Sequence, residues 1–528
     1  MEVNRLVFDH AVRIRADHPS DEGAILIRTN GAVLDLKGGE LIGGKDQAPS
    51  DTLTGRGIVV RGARDVTIRG AVIRGFKVAI YAEDAPGLTI EGCDVSGNYR
   101  QRLKSTPRGE HEDDWLYGHE NDQNEWLRYG AGIYLLRCPG ADVENCRARD
   151  GQNGICLSRS DEATIAGNDM SFMSGWGLAM WRSSRCKVLG NRFDYCVRGY
   201  SHGVYARGQD SAGILVYEQC SDNVFAWNRA THGGDGFFLY AGNQTVQRTG
   251  EGGCNRNLVY ENDFSFAVAN GIEATFSQGN VFASNRLTEC EHGIWAGYSA
   301  ESLIENNRIE RSANGISIEH GRGNRLYWND FDQCGRAVRL WWDDDKELLA
   351  SAFGRKTGGA SASEVVERNT FNACDIAIDA SRTEGLSVYG NRFESCGVCL
   401  AIVGEAAAQP LWCIGNVFLD GSVENRTSTE LVSSRNHAAE RVKFVGPWAR
   451  QKAAASEQEA WMAVHHERDE APGKPFPWIR IEETRIPAAA EGPPARPTTA
   501  PRGPLPGLTD GKQHIRVDEW GPVRHESR

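Results

Sequence analysis

Residues 304–331 read IENNRIERSANGISIEHGRGNRLYWNDF. Two copies of one phrase sit in this stretch, Ile304-x-x-Asn307-x-Ile309 and Leu326-x-x-Asn329-x-Phe331, 22 residues apart. Outward from it the phrase recurs as Ile165-x-x-Asn168-x-Met170, Val188-x-x-Asn191-x-Phe193, Val281-x-x-x-Asn285-x-Leu287 and Val388-x-x-Asn391-x-Phe393. A fixed short period means stacked supersecondary units, each burying its apolar face on the next. A unit of 22 or 23 residues is too short for a strand–helix–strand crossover and fits three short strands joined by tight turns.

The repeated asparagines read as scaffold. A buried turn leaves backbone groups that need partners, and an amide can serve both its own coil and the next. A second series five residues earlier, Asn223, Asn257, Asn280 and Asn324, reads the same way. Cys196, Cys290, Cys334, Cys374 and Cys396 fall five residues after the asparagine, and Cys93 and Cys146 fall on its position. Equivalent slots in successive coils point to a column of small buried hydrophobes rather than disulfides or zinc ligands.

A formal net charge of −12 argues against a general nucleic-acid or anionic-membrane binder. No run of about 18 apolar residues offers a membrane span. No signal peptide is visible. From Leu431 the period fades, residues 449–468 read as a helix, and residues 487–507 form a Pro-rich linker. The expected division is a solenoid over 1–430 with roughly fourteen coils at about 24–420, a helical or irregular extension at 431–486, and a Pro-rich linker with a terminal strand-like segment at 487–528.

The opening coils Val33-Leu34-Asp35-Leu36-Lys37-Gly38-Gly39, Gly57-Ile58-Val59-Val60 and Val66-Thr67-Ile68-Arg69-Gly70 resemble those of the right-handed parallel β-helix family. That family includes pectate lyases and many polysaccharide-active enzymes, and NosD-like proteins carry similar repeats. The resemblance covers about residues 24–420 and implies an all-β right-handed parallel β-helix, with an extracytoplasmic location expected. It does not choose a chemistry, because the fold hosts many.

The period breaks at four places, adding residues of about 99–130, 198–211, 241–253 and 343–361. The first two precede the strand that begins Gly-Ile and the last two follow it, which predicts two walls over one sheet. Strand alternation puts the third and fifth residues of that strand outward. The third-position column runs Cys156, Ala179, Leu215, Phe238, Glu273, Trp295, Ser317, Arg339. The fifth-position column runs Ser158, Trp181, Tyr217, Tyr240, Thr275, Gly297, Glu319, Trp341. Exposed Trp181, Tyr217, Tyr240, Trp295 and Trp341 would stack on sugar rings, with Arg182, Glu319 and Arg339 beside them; the alternative is that inserted loops cover the rings as a second core.

For chemistry, Asp235 lies just before the strand, with His232 three residues earlier, Glu273 one coil on and His292 on the coil after; Glu218, Glu319, Asp210 and Asp343 to Asp345 are alternative carboxylates. The Cα atoms of Asp235 and Glu273 should lie roughly 11 Å apart, nearer the geometry of an inverting glycosidase pair than of a retaining one. Glycoside hydrolysis of a polysaccharide is therefore the preferred expectation, with no cofactor required and no metal site. β-Elimination or epimerisation of a uronate is the alternative, drawing on His202, Tyr205 and Arg207 with Arg182 and Arg339; the lyase form would bring Ca²⁺. The third reading is a non-catalytic glycan-binding or NosD-like assembly protein. The scattered histidines and five methionines offer no copper cluster.

Overall fold

The computed structural model describes residues 5–8, 10–45, 47–198, 208–404, 409, 411–429, 431–450, 456, 459 and 517–522. The chain is a right-handed parallel β-helix that divides into two compact units. The first holds residues 1–242, 262–270 and 487–528, the second residues 243–261 and 271–486.

In the first unit a column of parallel strands ends in Ala131–Leu136, Ile155–Ser158, Leu178–Trp181, Ala212–Tyr217 and Asp235–Tyr240. Register pairs Cys156 with Ala179, Ala179 with Leu215 and Leu215 with Phe238, as the alternation requires. In the second unit the matching column runs through His292–Trp295, Asn314–Glu319, Arg336–Trp341, Ile376–Ser381 and Val398–Val403. There Trp295 pairs with Ser317, Ser317 with Arg339, and Glu319 with Trp341. The strands of these columns are four to six residues long because each turn comes early and the apolar positions alternate only within them.

Each coil turns through a residue at positive φ placed just before the ladder asparagine: Trp227 at 59°, Ser284 at 57°, Asn306 at 54°, Trp328 at 57° and Arg368 at 55°. Such a backbone costs a non-glycine residue about 1–2 kcal/mol. The ladder offsets it. Asn307 donates from Nδ2 to the Phe282 carbonyl (2.9 Å) and to Asn329 Oδ1 (2.9 Å), and its backbone N–H donates to the same oxygen (3.0 Å). The pattern repeats through Asn329, Asn369, Asn391 and Asn416 to Asn436, and in the first unit through Asn168, Asn191, Asn228 and Asn262. Beside it Phe331, Phe371, Phe393 and Phe418 stack at 4.9, 5.0 and 4.9 Å, the spacing of the strands themselves. All fourteen cysteines are buried and free.

Two boundaries differ from expectation. Pairing does not stop at Asp420, since Ser422–Asn425 pairs with Lys443–Val445 and Leu431–Ser434 with Trp448–Arg450. Asn436 keeps the ladder going after only 20 residues, a shortening that hides it from a 22-residue ruler. Trp448–Arg450 is strand where helix was expected; the rest of 449–468 and the Pro-rich 487–507 lie outside the described residues, apart from 456 and 459. Near the C-terminus Val517–Asp518 and Gly521–Pro522 form an antiparallel pair within the first unit, where Glu519 O accepts from Leu103 N at 2.6 Å.

Candidate functional site

The first unit closes its outward sheet. The insert 99–130 does not stand as a wall; it lies across the strands and sends Leu116, Trp126 and Tyr129 into a second core with Trp176, Trp181, Tyr217 and Phe238. Trp126 meets Trp176 at 5.0 Å and Trp181 at 5.6 Å. Arg198, fully buried, anchors the insert by donating to the Asp114 carbonyl and to Gln101 Oε1, and it also bonds Ser174 O. Trp181 and Tyr217, expected as sugar platforms, are each 1% exposed. Burial of large aromatic area outweighs leaving it wet, and the insert supplies the apolar cover. Tyr240 is half-buried at the edge of this core, 5.8 Å from the His119 ring, and burial followed by Glu218 pushes its hydroxyl up to about 12. Arg182 is engaged by Asp122 (3.2 Å) and Glu218 (3.9 Å).

The acid–base candidates of this unit are buried too. Asp235 is 0% exposed; Oδ1 accepts from Asn270 N at 2.7 Å, and Gly208 lies so close that it has no room for a side chain. Burial first, with Asp210 nearby, pushes the Asp235 carboxyl up to about 7. His232, 7% exposed and at φ 60°, is sandwiched between Tyr195 (4.8 Å) and Phe266 (4.6 Å), a packing role. Glu273 belongs to the second unit, so neither unit contains both members of the expected carboxylate pair. His202, Tyr205 and Arg207 lie outside the described residues.

The second unit leaves its outward sheet half open. Glu273, Trp295, Arg339, Glu319 and Trp341 are all partly exposed. Trp295 and Trp341 meet at 5.6 Å. The Arg339 guanidinium lies 4.2 Å from the Trp341 ring centre and makes no ion pair or hydrogen bond among the described residues. Trp341 Nε1 donates to Glu319 Oε1 at 2.9 Å, fixing that carboxylate at the edge of the strip. His292 reaches across from the head of its strand, edge-on to Trp295 at 5.1 Å, with Nδ1 3.0 Å from Ser317 Oγ. Burial, then the Arg339 charge, pushes His292 down to about 4, so its imidazole is neutral at neutral pH.

Two site residues were not picked out from the sequence. Asp379 extends the third-position column beside Arg339 and accepts from Arg336 Nε at 3.1 Å; the 40-residue interval before Asn369 interrupts the count and hides it. His320, next to Glu319, stacks on Tyr298 at 5.1 Å and faces Asp343 on the last insert. Glu319, His320 and Asp343 bring their ligand atoms within 4.8 Å of one another and could hold a metal ion. A hollow of about 530 Å³ lies elsewhere in the unit, lined by Asn255, Arg256, Gln278, Glu301, Ser302 and Arg325. Its polar lining is internally bonded, as in Gln278 Nε2 to Glu301 Oε2 at 2.7 Å, and it lacks aromatics, so the strip is the better site.

Of the inserts expected as walls, 99–130 lies flat on the sheet, and residues 199–207 of the second lie outside the described residues. In the second unit residues 243–253 and 343–361 pack on each other, with Gly250 against the Ala352 backbone and Lys356 Nζ 2.5 Å from Glu251 Oε1.

Fold and site together define a right-handed parallel β-helix with an aromatic, charged strip on one outward sheet. The profile described as "right handed beta helix region" matches residues 119–251 and 249–411, more than half of the chain, and the chain belongs to that family. No curated protein sequence matches it. Among solved structures it is similar to a periplasmic alginate epimerase AlgG (13% identity, 74% of this chain and 78% of that one, TM-score 0.38). It is also similar to a Yersinia enterocolitica family 28 exopolygalacturonase (10%, 75% and 77%, 0.39) and to the A-module of the Azotobacter vinelandii mannuronan C-5 epimerase AlgE6 (10%, 85% and 92%, 0.30). Likeness at these values carries no argument about activity.

Proposed function

We propose that the second unit's strip binds an acidic polysaccharide and acts on a uronate sugar. The observation that carries this is Arg339: a half-buried cation stacked on Trp341 that makes no ion pair or hydrogen bond among the described residues, Asp379 beside it being taken up by Arg336. A cation left without a partner in a partly desolvated site costs free energy unless a ligand supplies the anion. A uronate carboxylate fits, with the sugar rings stacked on Trp295 and Trp341.

With Ser317 Oγ accepting from Nδ1, His292 presents the Nε2 lone pair as a base. Nε2 takes the C5 proton, and the electron pair moves into the carboxyl group, whose developing charge Arg339 stabilises. The pair can return by expelling the oxygen at C4 with formation of a C4–C5 double bond, or C5 can take a proton on its other face. The first outcome is elimination, the second epimerisation. This reading stands above hydrolysis because the preferred hydrolytic pair used Asp235, which is fully buried.

The test is incubation with polygalacturonate and alginate. Unsaturated, ultraviolet-absorbing products or a changed uronate ratio are expected, lost by about 10²–10⁴ in His292→Gln with binding retained. New reducing ends without unsaturation, unchanged in His292→Gln, would restore the hydrolase reading. Binding without turnover would leave a glycan receptor.

A further inference from the structure

His320 lies at the mouth of the 343–361 insert. Its imidazole is 1% exposed and is held flat against Tyr298, with interplanar angle 11°. Nδ1 contacts the Gly359 carbonyl oxygen. A carbonyl oxygen only accepts, so Nδ1 carries the hydrogen, and in the neutral ring Nε2 is then a bare lone pair. Nε2 has no hydrogen-bond partner among the described residues, and Asp343 Oδ1 faces it at 3.4 Å. Two acceptors aimed at each other repel unless something positive lies between them.

Among the described residues no arginine or lysine pairs with Glu319 or Asp343. Glu319 and Asp343 are close enough to share one ion with Nε2. Asp345 is engaged by Tyr298 OH at 3.3 Å, and Asp344 meets Arg382 at 3.9 Å. An imidazole whose other ring nitrogen donates to a backbone carbonyl is the usual arrangement of a metal-bound histidine. One nitrogen and two carboxylates suit a borderline divalent ion such as Zn²⁺ better than Ca²⁺, which takes oxygen ligands.

We infer that Glu319, His320 and Asp343 form a binding site for a divalent transition-metal ion that fastens the neck of the 343–361 insert to the β-helix. Asp343 begins the insert and Gly359 lies near its end. An ion on Nε2 would therefore tie one end of the loop while Nδ1 holds the other, reducing the closure cost of the segment. This inference does not depend on the proposed uronate chemistry and is read without any activity assay.

The experiment uses the full chain after chelator treatment. Titration with Zn²⁺ by calorimetry, and with Co²⁺ by visible absorption, should give one site per chain with weak d–d bands and no intense thiolate charge-transfer band. Asp343→Asn, with a side chain 63% exposed and so of little structural consequence, should weaken binding at least tenfold. His320→Gln should abolish the Co²⁺ spectrum, and slower proteolysis within 343–361 should accompany Zn²⁺ only in the parent chain. Equal uptake by the parent and Asp343→Asn, thiolate bands, or uptake of Ca²⁺ with none of Zn²⁺ or Co²⁺ would overturn the assignment. A doubly protonated His320 with no metal uptake, seen by imidazole NMR, would overturn it too.

Discussion

The outward sheet of the first unit and that of the second are built from the same strand phrase and end differently. In the first, Trp181 and Tyr217 lie under Leu116, Trp126 and Tyr129 of the 99–130 insert. In the second, Trp295 and Trp341 stay half open beside Arg339 and Glu319, and the neighbouring insert begins Asp343-Asp344-Asp345. What an outward aromatic does is thus decided less by its own strand than by the composition of the insert next to it. An insert that sets large apolar side chains over the strands, as Leu116, Trp126 and Tyr129 do, converts a face into a core; one that sets none there leaves a surface.

The comparison can be broken first in the sealed region. Trp126→Ala should cost the first unit about 3–5 kcal/mol, as for large core aromatics. A denaturation midpoint within experimental error of the parent would mean that the insert is not load-sharing core. Next comes the buried Asp235. Its carboxyl is raised to about 7 from 3.8, so its stabilising contribution is complete below about pH 4 and is lost as pH rises through 7. Asp235→Asn, neutral at every pH, should therefore gain on the parent by roughly 1.4 kcal/mol for each pH unit between those limits. Parallel stability–pH curves would show that Asp235 is hydrated after all. The smallest stability effect belongs to the open region. Trp341→Ala should change the unfolding midpoint little while weakening polyuronate binding about tenfold, roughly 1.4 kcal/mol. A large stability loss there would erase the distinction between the two faces. The pH profile sharpens it further: with His292 near 4, kcat/KM on a uronate should hold level as pH falls through 6.5 and drop only near 4.

Much of the architecture was legible because it is periodic. The interval between asparagines set the coil length, strand alternation set which residues face outward, and the register pairs confirm both at Ala179–Leu215 and Ser317–Arg339. Burial of the outward face was not legible from the strands, since it depends on how a non-repeating segment folds back. A signal for it existed in Leu116, Trp126, Leu127 and Tyr129, too many apolar residues for a solvated loop. Asp379 escaped because an insert shifted the count, and His320 because it lies just past its strand, beyond the alternation that marks outward positions. The carboxylate pair was harder to judge for a simpler reason: sequence proximity across one coil says nothing about enclosure, and Asp235 is fully buried.

The buried thiols have a use beyond filling space. They lie in coils from Cys93 to Cys413, each shielded and each distinguishable by mass. Burial drives Cys156, Cys186, Cys196 and Cys413 well away from the thiolate form, so a thiol reagent can modify them only when their own coil opens. Timed alkylation followed by peptide mapping would therefore give an opening rate for one coil after another, a built-in record of where the solenoid begins to come apart.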